Sequence, residues 1–150
     1  MSPKFSLQHV LDLRHGKVEL LEIELGRLMT ALQETETRLM SLQEFQRTLL
    51  EQLKDAQIGE IDLTQISWLR MNILQVNTYI ENVSLELARQ NHAVKEKRAE
   101  LVKAKQSEET LEILKRKRYE VYLAEQVQIE ARAQDDIYIA QAFRNQQQGI

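Results

Sequence analysis

The chain has 150 residues, four glycines, one proline and no cysteine. So few chain breakers argue against sheet, and the missing thiols exclude a disulfide framework, a cysteine nucleophile and a thiolate metal site. A net charge of −3 with both signs dispersed creates no basic field for nucleic acid or an anionic membrane. Aromatics make up only 5 % of the residues, so the core is expected to be a seam rather than a thick interior. The first residues, Met1 to Val10, lack the apolar run of a signal peptide, and no stretch approaches membrane-spanning length. The expectation is a soluble intracellular protein.

Steps of three and four residues from Leu7 land on Leu11, Arg14, Val18, Leu21, Leu25, Leu28 and Leu32. They continue through Thr35, Leu39, Leu42, Gln46, Leu49, Leu53 and Ala56. Only Arg14, Thr35 and Gln46 break the apolar seam, and a 3.5-residue period is that of a left-handed coiled coil. Polar seam residues loosen such a coil or fix its register. Gly26 and Gly16 read as tolerated surface glycines, each costing roughly 1 kcal/mol relative to alanine in a helix. The pattern predicts a first helix over about 6–57.

A break follows at about 58–62. Gly59 can take the left-handed conformation that ends a helix, and Asp62 with Gln65 three residues on reads as a variant capping box. The second helix, about 63–147, opens on a clean seam of Leu69, Ile73, Val76, Ile80, Val83 and Leu87. The same spacing then meets Gln90, Lys97, Glu108 and Lys115 among its apolar positions, so the coil is expected to loosen away from the turn. A change of step at 104–114 would recover Leu111 and Leu114. Folding back near residue 60 places Ser6 opposite about residue 114, which leaves an overhang from about 115. At 1.5 Å per residue that overhang is about 50 Å long. The expected fold class is all-α, a single elongated antiparallel two-helix coiled coil (a helical hairpin) with a longer C-terminal helix.

Two paired helices supply no concave pocket in which catalytic groups converge. His9, His15 and His92 lack helical metal-ligand spacing, and Glu108 with Glu109 or Asp135 with Asp136 diverge by about 100° on a helix. There is no glycine-rich phosphate loop or nucleophile elbow. The chain reads as a binding protein with no catalytic, cofactor or metal site. The basic run Lys115, Arg116, Lys117 and Arg118 is a solvated girdle, a phosphate patch without stacking aromatics, or a steering patch for an acidic protein rim. Trp68, beside the turn, either covers the hairpin tip or anchors a partner, with Met71, Asn72 and Gln75 on the same side. Tyr119, Tyr122, Val127, Ile129, Ile137, Tyr138, Ile139 and Phe143 give the overhang an apolar surface. Self-association, a helix swap with the N-terminus and a dedicated docking helix all fit it.

The segment Phe5, Ser6, Leu7, Gln8, His9, Val10, Leu11, Asp12, Leu13, Arg14 resembles the amino-terminal pattern of the flagellar export protein FliJ family. The stretch from Leu111 through Arg118, Tyr119 and Glu120 is similar to the segment before that family's carboxy-terminal acidic motif. Glu125, Glu130, Asp135, Asp136 and Ile137 stand where the family places its acidic residues, with Asp136 replacing the usual Glu. Chain size, the single turn and the longer second arm match too, so the likeness covers nearly the whole chain.

The resemblance implies a cytoplasmic accessory of a flagellar type III export apparatus, peripheral to the inner membrane, and the injectisome stalk proteins are a close variant. It implies a hexameric export ATPase and an export gate protein as partners, with cargo chaperones a further class left open. No nucleic acid or membrane insertion is implied, and the free chain is expected to be a monomer. Residues 1–14 and 111–150 would enter the ATPase ring, through Phe5, Leu7, Arg14, Arg116, Arg118, Tyr119, Tyr122, Ile129, Asp135, Asp136, Ile137 and Phe143. Trp68, Met71 and Gln75 would face the gate. A homodimeric coiled-coil tether unrelated to export is the alternative.

Overall fold

The computed structural model describes residues 4–149. It contains α1 (Gln8–Ala56) and α2 (Leu63–Gln148), and among the described residues there is no strand. The helices pack antiparallel as a hairpin whose second arm is the longer, the fold class that the seam predicts. Every position of the first seam, from Leu7 through Ala56, is buried or half-buried. By backbone proximity the chain divides into two units. One is Glu19–Lys103, and the other joins the residues up to Val18 with those from Ala104 onward.

In the Glu19–Lys103 unit the turn is built by local chemistry. Gln57 and Ile58 donate their N–H groups to the carbonyls of Lys54 and Asp55, closing the last turn of α1. Gly59 then takes φ = 81°, a left-handed conformation that glycine adopts without strain. Asp62 caps α2 by accepting the N–H groups of Thr64 and Gln65 on Oδ1, at 3.0 and 3.4 Å. Beside the turn, Leu49 of α1 and Leu69 and Val76 of α2 form a core cluster, flanked by Leu53, Ala56, Ile73 and Ile80.

The polar seam residues of this unit are satisfied. Gln46 donates to Asn77 Oδ1 at 2.6 Å, and the Thr35 hydroxyl, 1 % exposed, donates to the Ala31 carbonyl at 3.0 Å. Lys97 reaches Glu24 at 2.9 Å, and that hydrogen bond, with help from Glu100, raises the ammonium pKa. Arg38 meets Glu86 at 3.4 Å, an exposed pair whose value is in register more than in stability. Gly26 has open space where a Cβ would stand, in keeping with a tolerated surface glycine.

Gln90 is the exception. Its Oε1 is buried with no hydrogen-bond partner among the described residues, and such an orphan costs about 1–3 kcal/mol. Gln90→Leu is therefore expected to stabilise the hairpin by roughly 1–3 kcal/mol. Chemical denaturation followed by circular dichroism checks this, and an unchanged midpoint would refute it.

In the second unit the seam holds its step through Ala104, Glu108 and Leu111, and then shortens, leaving Leu114 half-buried and Lys115 exposed. Ser6 meets Arg118 instead of residue 114.

Candidate functional site: a basic, aromatic groove and an exposed helical stretch

The groove arises where the start of the chain is clamped onto α2. The Phe5 carbonyl accepts the Gln8 N–H at 3.1 Å, so the chain bends into α1 at that point. The Arg118 guanidinium lies 5.4 Å from the Phe5 ring centroid and donates to Ser6 Oγ at 2.9 Å. A cation over an aromatic face at an exposed site contributes about 0.5–1 kcal/mol. Deeper in the same unit, Arg14 donates to the Ser107 carbonyl at 2.8 Å, and His15 Nδ1 lies 2.6 Å from Glu108 Oε1. These bonds hold two polar seam positions, Arg14 and Glu108, inside the coil.

The clamp leaves a recess of about 410 Å³. Buried Leu11 forms its floor, and Phe5 and Tyr119 form apolar walls. Lys4, Lys115, Arg116 and Arg118 surround it with positive charge, against a single acidic side chain, Glu112. The Tyr119 and Tyr122 rings stack next to it, with centroids 6.3 Å apart and planes at 29°. Such a surface suits an anionic partner that also carries an apolar side chain.

Of the residues assigned by resemblance, Phe5, Arg116, Arg118 and Tyr119 come together here. Leu7 and Arg14 are half-buried in the helix seam and hold α1 against α2. Ile129, Asp135, Asp136, Ile137 and Phe143 are outside the groove, farther along α2, where all residues of 127–149 are exposed. Lys4 is a groove residue that sequence spacing did not single out, whereas Leu11 is a seam position. Nothing in the sequence marks Lys4, because its place depends on the bend at Phe5.

The residues near the turn form a separate surface. Trp68 and Met71 are 60 % and 71 % exposed, and they share a helix face with exposed Gln75. Gln75 donates to the Tyr79 hydroxyl at 3.3 Å, and the Asn72 amide donates to the Trp68 carbonyl at 2.8 Å. Ile58, Ile61, Leu63 and Leu74, close by in sequence, are also exposed. Their signal in the sequence was the scarcity of charge, since Arg70 is the only charged residue between Asp62 and Glu81.

Among the described residues no three His, Asp or Glu side chains are grouped to hold a metal, and no helix is long and apolar enough to cross a membrane. His92 pairs with Glu96 within its own helix at 2.9 Å, and His15 with Glu108.

No curated protein and no solved structure matches the chain. The profile of one family, described as flagellar FliJ protein, matches residues 3–148. With nearly the full length matched, and a two-helix hairpin with a longer second arm, the chain belongs to the flagellar FliJ family of non-catalytic export-apparatus components.

Proposed function

We propose that the chain is the central stalk-like accessory of a flagellar type III export apparatus. It is not an enzyme itself. It binds the hexameric export ATPase, promotes assembly of the ring and couples the ring to the export gate, at the cytoplasmic side of the inner membrane. The observation that carries this reading is the exposure of every residue in 127–149 on a helix that bears Ile129, Ile137 and Phe143. Most helical stability in proteins comes from burying an apolar face, and this stretch buries none within the chain. The partner that covers this face is the ATPase, which also meets Phe5, Arg116, Arg118, Tyr119, Tyr122, Asp135 and Asp136. Leu7 and Arg14 serve it by holding the two helices together. Trp68, Met71 and Gln75 meet the gate protein.

Ring promotion follows from differential binding. A ligand that engages the assembled ring better than its free subunits shifts assembly by mass action. The test is the steady-state rate of the cognate export ATPase, titrated with this protein at fixed enzyme. Saturable stimulation, strongest at low enzyme concentration where rings are scarce, is expected. An unchanged rate together with absent binding would remove the stalk assignment and leave a coiled-coil tether.

A further inference from the structure

The groove and the exposed end of α2 are complementary to each other. The groove needs a ligand with carboxylates beside apolar side chains. Asp136, Ile139 and Phe143 provide this on one helix face, spaced at i, i+3 and i+7, and all three are exposed. Asp135 adds a second carboxylate and Ala140 a small side chain that permits close approach. Within one chain the two features cannot meet. They lie about 20 residues apart on one continuous helix, which at 1.5 Å per residue separates them by about 30 Å.

We infer that the groove of one chain receives the 135–143 face of a second copy, and that the contact is made twice, in a two-fold symmetric antiparallel dimer. A two-fold axis crossing α2 near residue 126 brings each basic groove onto the partner's acidic segment at once. Such an isologous interface requires each surface to find its complement on an identical chain. The charge order along α2 meets that condition: a basic block at 115–118 and an acidic pair at 135 and 136, centred at equal distances from residue 126. Exposed Ile129 shares the face of Asp136 near the axis, and Ala133 beside it allows the helices to approach.

A planar anionic membrane suits the groove less well. The recess is concave, so its apolar floor at Leu11 is reached by an inserted side chain and not by a flat surface.

The dimer forms as concentration rises, so the dilute chain is a monomer. Its consequence for export rests on the stalk reading above: the dimer covers the same groove and the same helix that the ATPase is proposed to use, so pairing withholds the protein from the ring. The dimer itself stands independently of that reading and is tested without the ATPase.

Sedimentation equilibrium of the full chain, at increasing concentration, is expected to show the mass rising toward twice that of the monomer. Two charge-reversal variants locate the contact. Lys115→Glu with Arg116→Glu makes the groove acidic, and Asp135→Lys with Asp136→Lys makes the segment basic. Each variant alone is expected to stay monomeric, because both of its contacts then oppose like charges. Mixed together, the two are expected to dimerise, because every groove again faces a segment of opposite sign. Circular dichroism on each variant separates loss of pairing from loss of helix. A wild-type chain that stays monomeric throughout would overturn the dimer and assign the groove to a foreign acidic segment. Variants that dimerise as readily as the wild type, or folded variants whose mixture stays monomeric, would overturn its placement.

Discussion

A chain ended after Gln126 is expected to keep the thermal melting midpoint of the full-length protein and to lose its stimulation of the export ATPase. Gln126 is the last half-buried residue of α2, and everything from 127 to 149 is exposed. Removing this stretch takes away no buried seam residue, and deletions clear of buried features change stability little. The groove with its Phe5, Ser6 and Arg118 clamp stays intact in the shortened chain. The missing part carries Ile129, Asp135, Asp136, Ile137 and Phe143, which the stalk reading places against the ATPase. Loss of a contact this extended is expected to weaken binding by roughly tenfold or more, a change of about 1.4 kcal/mol per factor of ten. Calorimetric melting and the ATPase titration check the two halves of this statement. Undiminished stimulation would move the ATPase contact onto the groove alone, and a lowered melting midpoint would show that the exposed stretch stabilises the hairpin.

The seam was legible because its period is set by helix geometry alone. Each seam position from Leu7 to Ala56 is turned toward α2, including the polar exceptions Arg14, Thr35 and Gln46. The turn was legible for the same kind of reason, since the positive φ of Gly59 and the cap of Asp62 are local requirements. Spacing does not state the axial offset between helices, however. Sliding one helix along the other preserves the heptad pattern, so Ser6 against Arg118 could not be told from Ser6 against residue 114. Contacts that depend on the offset were hidden with it, such as Arg14 on the Ser107 carbonyl, which turns a polar interruption into a tie between helices.

The groove was the least legible feature. Its residues come from 4–11 and from 112–119, and they converge only once the offset and the bend at Phe5 are fixed. The sequence did identify Phe5, Arg116, Arg118 and Tyr119 as candidates through the family resemblance, but it gave no sign that they surround one recess. Exposure near the turn was half legible. Trp68 invited two readings, covering the tip or facing outward, and at 60 % exposed it faces outward.

Leu69→Ala and Trp68→Ala are expected to behave in opposite ways although the residues are neighbours. Successive side chains on a helix point about 100° apart, so one can face the partner helix while the next faces solvent. Leu69 is 1 % exposed at the centre of the cluster with Leu49 and Val76. Truncating it removes buried methyl groups and leaves a void that two helices can close only in part, at a cost of about 2–5 kcal/mol. In a seam only one side chain deep no second layer compensates, so this is the largest single-site loss of stability expected in the molecule. Trp68→Ala removes a larger side chain but one already in water, and the melting midpoint is expected to move by no more than about 0.5 kcal/mol equivalent. Its effect is expected instead on the contact with the gate protein, measured as binding of the isolated gate domain. Equal destabilisation by the two substitutions would mean that Trp68 packs onto the tip in solution, and the gate-facing assignment of Met71 and Gln75 would fall with it. A stable Trp68→Ala variant with unchanged gate binding would separate the two ideas, keeping the exposed tip and removing its partner.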